Sequence, residues 1–171
     1  MKDDCSFLSF HPRMVGNPTL LDKRLTAFLC SGARSSDDAF ASVRRWVKSL
    51  DKHSGCVLVG CLAGMERFVM RLLLEHEIPV AIVLAEALPA DMDELAMMLH
   101  DFPVREALEA DRLLVVSVND DGEDCVATSV NARRRNLWML DKASRVVVGY
   151  LRPNGKLFRQ LCGRRNVVVL K

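Results

Sequence analysis

Six short apolar runs, each unbroken rather than alternating, restrict this chain more than any other feature. They are Leu25 to Ser31 (LTAFLCS), Cys56 to Cys61 (CVLVGC), Pro79 to Leu84 (PVAIVL), Leu113 to Val118 (LLVVSV), Val146 to Leu151 (VVVGYL) and Asn166 to Leu170 (NVVVL). A strand wet on one face alternates apolar and polar residues, whereas a strand covered on both faces reads as one continuous stretch. Segments of helical period separate the runs. Phe40, Val43, Trp46, Val47 and Leu50 recur behind Asp37 and Asp38, either of which can cap a helix. Phe68, Val69, Leu72 and Leu73 share one side of the next helix. Residues 90–100 read as a third, with Asp91, Asp93 and Glu94 favourable near its positive end. Leu137, Met139, Leu140 and Ala143 are the inward positions of a short helix before Val146, and a further helical piece follows the turn Pro153-Asn154-Gly155. Strands alternating with helices predict an α/β fold: a doubly wound, mostly parallel sheet in a single domain. Residues 1–24, with the turn signal Gly16-Asn17-Pro18, are expected as a lead-in, and 25–171 as the α/β domain.

Half of the 171 residues are hydrophobic and 27% are charged, a globular composition. The net charge of +2 neither requires nor forbids a nucleic-acid partner, because the placement of the basic residues decides that question. They cluster at Arg133 to Arg135 and again at Arg159, Arg164 and Arg165. The acids gather elsewhere, at Asp91 to Glu94 and Asp120 to Asp124. The polar N-terminus is not that of a signal peptide, and no window approaches the ~20 apolar residues of a membrane span, so a cytoplasmic protein is expected. Cys5, Cys30, Cys56, Cys61, Cys125 and Cys162 lack metal-ligand spacing. They are expected as reduced thiols, with no metal site and no cofactor.

In a doubly wound sheet, ligands sit beyond the carboxyl ends of the strands, where strand order reverses. That rule selects four loops: Gly32 to Ser36, Leu62 to Glu66, Ala85 to Pro89 and Asn119 to Arg135. The first two contain glycine and lead into helices, so each can offer backbone N–H groups to a phosphate; a plain tight turn is the competing reading. Neither matches the dinucleotide fingerprint or the P-loop. The stretch 128–150 begins polar and irregular, then sets Arg133, Arg134 and Arg135 before Asn136, at the expected entrance of a short helix. A solvated turn and a phosphate site are both open for this run.

The motifs resemble those of the DNA-processing protein A (DprA/Smf) family, in the family's order, from about Met14 to Leu170. MVGNPTLLDKRLTAFLCSGARSS is similar to its entry segment, strand and Gly-Ser-Arg turn. GCLAGMERFVMRLLLEHEIPVAIVLAEAL resembles the next unit of glycine-rich turn, helix and strand. RRRNLWMLDKASRVVVGY resembles its Arg-Asn-bearing helix and strand, and NGKLFRQLCGRRNVVVL its final segment. The chain holds Glu66 where the family usually has aspartate, and Leu137 replaces a second arginine after the Arg-Asn pair. The resemblance implies a Rossmann-like domain that binds single-stranded DNA, hands it to a RecA-type recombinase, and forms homodimers. It also implies that Arg34 is the arginine of the first turn and Arg135-Asn136 the Arg-Asn pair. The expected nucleic-acid or phosphate site is therefore Gly32, Arg34, Ser35, Gly64, Arg133, Arg134, Arg135 and Asn136, with no catalytic residue. Arg164 and Arg165 are further backbone contacts in this reading, and Trp138, Tyr150 and Phe158 the available base platforms.

The wider superfamily also contains lonely-guy-type proteins, so a nucleotide-binding sensor or nucleotide-processing enzyme is the alternative. Its Pro-Gly-Gly-x-Gly-Thr turn is missing here, and Glu66 or Glu86 are the carboxylates at suitable strand ends. His11, His53, His76 and His100 fall in helices or linkers rather than strand-end loops.

Overall fold

The computed structural model describes residues 13–32, 36–62, 64–119 and 128–171. Seven strands form one sheet: β1 (Arg13–Gly16), β2 (Leu25–Leu29), β3 (Cys56–Val59), β4 (Val80–Leu84), β5 (Leu113–Ser117), β6 (Arg145–Val148) and β7 (Val167–Val169). Their order is β1-β5-β4-β3-β2-β6-β7, all parallel except β1, which runs antiparallel to β5. The chain steps from β2 outward to β5, then returns to the other side of β2 to place β6. The topological switch therefore lies between β2 and β6.

The six apolar runs are strands, and β2, β3, β4 and β6 are interior, as continuous burial requires. The helices are α1 (Asp37–Lys48), α2 (Met65–Glu75), α3 (Met92–Met98), α4 (Val104–Glu109), α5 (Ser129–Lys142) and α6 (Lys156–Leu161), with a 3-10 turn at Pro18–Asp22. One face of the sheet, through Phe28, Val57, Val59, Val80, Ile82 and Val115, packs on α1 to α4. The other face, through Ala27, Leu29, Leu58, Ala81, Val116 and Val148, packs on the 3-10 turn, α5 and α6. Alternate residues of each strand thus serve two separate apolar layers.

Three local expectations need correction, and one helix was not foreseen. Residues 13–22 are part of the domain: β1 lengthens the sheet at one edge, and Asn17 tethers the following turn by donating to the Asp111 carbonyl at 3.0 Å. Ser36, not Asp37 or Asp38, caps α1, and the aspartates occupy its positive first turn. The helix expected over residues 90–100 is present as α3, and a further helix that the sequence reading does not name, α4, follows it with Pro103 at its N-cap. The helix carrying the arginines starts at Ser129, capped by the Thr128 hydroxyl accepting from Asn131 N–H at 3.2 Å. Arg133 to Arg135 therefore stand in its second turn rather than at its entrance, and Leu137, taken as inward, is 44% exposed.

The last run teaches a separate point. NVVVL is continuous, yet Val168 and Val169 stay about 40% exposed, because β7 is an edge strand. An unbroken run specifies a strand, but the neighbours decide whether it is interior.

Candidate nucleic-acid interface

The carboxyl ends of the strands carry the predicted residues, and the geometry there begins with a buried ion pair. Glu66 lies in the first turn of α2, on one face of the sheet, and Arg135 lies on α5, on the other. They meet beyond the end of β3: Arg135 Nη2 donates to Glu66 Oε1 at 2.8 Å and Nη1 to Oε2 at 3.2 Å. Arg135 is 2% exposed and Glu66 6%. Glu66 Oε2 also accepts from the Leu62 N–H at 3.0 Å, which fixes the turn after β3. Asn136 Oδ1 completes the cage, accepting from Arg135 Nε at 3.2 Å and from Nη2 at 2.9 Å. Such a two-pronged, hydrogen-bonded arrangement is what a buried pair needs to offset its desolvation.

Gly60 makes the crossing possible. A Cβ there would lie 2.6 Å from Glu66 Oε2 and 2.7 Å from Arg135 Cζ. The glycine is thus required by the approach of a side chain, not by its own dihedral angles. Gly64 has φ +57°, the left-handed region that favours glycine, and it leads directly into α2.

The three consecutive arginines have three environments, because a helix turns each successive side chain by about 100°. Arg135 points inward. Arg134 is exposed, and its Nη1 donates at 3.1 Å to Oδ1 of Asn119, a 2%-exposed residue just past β5. Asn119 Nδ2 in turn donates to the Ala85 carbonyl at 2.7 Å, so Arg134 is anchored to the ends of β4 and β5 together. Arg133 is exposed on the α6 side, where Gln160 Nε2 donates to its carbonyl at 3.5 Å. Asn136 Nδ2 donates to Gln160 Oε1 at 3.4 Å.

Gly32 is an exposed residue just past β2, with open space around it. Arg34 and Ser35 lie outside the described residues. The loops after β2 and β6, which flank the switch point, are strapped together: Ser31 N–H donates to the Tyr150 carbonyl at 2.8 Å, and the Arg152 N–H donates to Ser31 Oγ at 2.9 Å. The geometry thus brings Gly32, Gly64, Arg133 and Arg134 to one edge of the sheet, with Arg135 and Asn136 beneath them as support. Arg164 departs from this edge: its Nη1 bonds the Leu140 carbonyl at 3.2 Å and caps the far end of α5. Trp138 is half-buried against the core, with Lys142 Nζ 6.0 Å from its ring centre.

Sequence reasoning misses Gln160 altogether and names Asn119 only as the first residue of a selected loop. Their signal was weak, a single polar residue ending an apolar run and one inside a six-residue helix. Glu66 had been noted only as a substitution in a turn and as a candidate base. With both oxygens engaged it holds two layers together.

No protein-family model matches the chain, and no curated protein sequence does. Solved structures do. DNA processing protein A from Streptococcus pneumoniae superposes with a TM-score of 0.61 at 19% identity, over 79% of this chain and 44% of that one. DNA processing protein A from Helicobacter pylori, described for its single-stranded DNA binding mode, superposes with a TM-score of 0.56 at 14% identity, over 79% of this chain and 58% of that one. This is a DprA-like Rossmann fold. The chain spans about half the length of those two DprA chains. No helix among the described residues is long and apolar enough to cross a membrane. Nor does any cluster of three or more His, Cys, Asp or Glu there form a metal site.

Among the described cysteines, Cys56 and Cys61 are buried, Cys30 half-buried and Cys162 exposed. Burial pushes the Cys56 thiol up to about 12 and the Cys61 thiol to about 11, since the thiolate loses its hydration there. Neither is a nucleophile at neutral pH.

Proposed function

We propose that this DprA-like domain binds single-stranded DNA, without catalysing a reaction, along the carboxyl edge of its sheet. The observation that carries the reading is the pair of exposed guanidinium groups, Arg133 and Arg134, on a helix held to that edge by the buried Arg135–Glu66 pair. Arg133 and Arg134 meet backbone phosphates, the Gly32 and Gly64 turns let the strand approach closely, and Arg34 and Ser35 complete the first turn. Arg135 and Asn136 are positioning residues, since their polar atoms are taken up by Glu66, Gln160 and each other. The fold likeness to DprA proteins, one of them described for binding single-stranded DNA, supports the choice of ligand. Glu66, bound by a guanidinium and a backbone N–H, is not free to act as the base of a nucleotide-processing enzyme.

The test is a fluorescence-anisotropy titration with a single-stranded oligonucleotide at two salt concentrations. Arg133→Ala and Arg134→Ala are compared with Arg105→Ala, an exposed arginine on α4. Each site substitution is expected to weaken all sequences alike and to flatten the salt slope by about 0.7 per lost phosphate contact. Equal effects from all three substitutions overturn the proposal. Saturable binding of nucleoside monophosphates with no oligonucleotide binding overturns it too.

A further inference from the structure

The last 30 residues carry a charge imbalance that the site above does not use. After Asp141 the chain has no acidic residue, while its last 30 residues contain eight lysines and arginines. Several of these cations have structural work. Arg164 caps α5, Lys142 lies over Trp138, and Arg145 begins β6 at the opposite end of the sheet. Three do not. Arg152, Lys156 and Arg159 are exposed, all follow the carboxyl end of β6, and none forms an ion pair among the described residues.

Hydrogen bonds place the segment that carries these three beside the proposed site. The backbone of Arg152 is bonded to Ser31, next to Gly32 and the first turn. The turn after it is closed by hydrogen bonds: Gly155 N–H donates to the Arg152 carbonyl at 3.1 Å, Asn154 is left-handed at φ 57°, and Arg159 Nη2 donates to the Asn154 carbonyl at 3.3 Å. Gln160, next along α6, touches both Arg133 and Asn136. Ser31 and Gly32, the β6–α6 segment and the second turn of α5 therefore adjoin one another along this edge, and the last two carry its cations.

Phe158 belongs to the same surface. Leu157 and Leu161, each 6% exposed, are the residues that anchor α6 to the core, and Phe158, next to Arg159 in sequence, remains 38% exposed. An exposed ring among unpaired cations suits an unpaired nucleic-acid strand: the cations follow its phosphates and the ring meets a base face. A compact anion such as a nucleoside monophosphate would engage only one end of such a surface.

Resting on the single-stranded DNA reading above, we infer that the bound strand continues from the glycine turns over the β6–α6 segment. There Arg152, Lys156 and Arg159 take successive phosphates and Phe158 stacks on a base. The segment extends the footprint rather than creating the site, so its contribution depends on oligonucleotide length.

The experiment compares oligo-thymidylates of about 5 and about 15 nucleotides, lengths that bracket a short contact and an extended one. The proteins are the unmodified chain, the triple variant Arg152→Ala/Lys156→Ala/Arg159→Ala, Phe158→Ala, and the control Lys48→Ala/Arg105→Ala on α1 and α4. Melting curves confirm that each exposed substitution leaves the fold intact. The triple variant is expected to bind the long strand at least about tenfold more weakly, with a salt slope shallower by about 2, and the short strand as before. Phe158→Ala is expected to weaken the long strand about fivefold or more with no change in slope, because it removes stacking and no charge. Arg152→Lys/Arg159→Lys is expected to retain most of the affinity. If the unmodified chain binds both strands but the triple variant weakens neither, or both alike, the extension is wrong and the edge site stands. If the unmodified chain binds neither strand, the edge site is wrong and the extension falls with it.

Discussion

The two faces of the sheet are covered by layers built on different terms. On one face α1 and α2 bury Val43, Trp46, Val47, Val69, Met70, Leu73 and Leu74, and their rings pair off. Phe28 stacks on Trp46 at 5.5 Å, and Phe40 meets Phe68 edge-on at 4.8 Å. Even the cations of this layer lie over rings, with Arg67 4.8 Å from the centre of Phe102. On the other face α5 buries Met139, Leu140 and an arginine over 14 residues, and α6 adds Leu157 and Leu161. The first layer is thick, aromatic and apolar. The second is thin, and its outer surface is free to carry Arg133, Arg134, Lys156 and Arg159. Apolar burial is thus concentrated on one side of the sheet and exposed arginines and lysines of α5 and α6 on the other, and the Glu66–Arg135 pair is the polar bolt between them.

The largest expected effect comes from cutting that bolt. Arg135→Ala leaves Glu66 buried without its partner and is expected to cost about 3–5 kcal/mol, read as a lower urea midpoint at unchanged slope. Glu66→Leu/Arg135→Met, which removes both charges, is expected to lose much less than the sum of the single changes. Equal losses for the double and the single variants would mean that the helices are joined by packing alone.

Next in size is the contrast between the layers. Leu73→Ala, in the thick layer at 0% exposure, is expected to cost about 3–4 kcal/mol, whereas Leu161→Ala in the thin layer lies near the lower limit of about 2 kcal/mol. The same denaturation series measures both, and a reversal of the order would refute the division of labour.

Smaller still are the helix caps, one in each layer. Ser36→Ala and Thr128→Ala each remove a side-chain acceptor at an exposed helix start, and each is expected to cost about 1 kcal/mol whichever layer it serves. Thr128→Ala should also weaken DNA binding slightly by loosening α5, while Ser36→Ala should not.

The smallest energetic effect, though an easily mapped one, concerns the thiols. Alkylation near pH 8 followed by peptide mapping should label the exposed Cys162 at the C-cap of α6 and spare Cys56 and Cys61. Because both buried thiols titrate above the ordinary value of 9.0, the folded state keeps protons that the unfolded state releases. Stability should therefore fall as pH rises from about 9 toward 11 and 12.

Most of the architecture was legible in the sequence, and the errors have physical causes. The six strands were visible because burial on both faces leaves an unbroken apolar run. β1 was not, because RMVG is four residues long, antiparallel and only half-buried, so it carries no such signature. The start of α5 was read too late because Val130, Asn131 and Ala132 face outward or are half-buried, and nothing apolar marks that first turn. The arginine run stood out as a candidate site, but adjacency in sequence hid that one of its three members is core.

Contiguous residues by themselves determined which segments are strands and helices, that the sheet is wound with helices on both sides, and where cations concentrate. Burial and period are properties of neighbours along the chain, so the chain displays them. Only the tertiary structure decided the strand order, and with it the switch between β2 and β6 and the edge position of β7. It alone paired Arg135 with Glu66, 69 positions away, and brought Ser31 to Arg152 across 121. Those partners are selected by the path of the backbone over the sheet's end, where Gly60 leaves room for a guanidinium to pass, and no local pattern encodes that path.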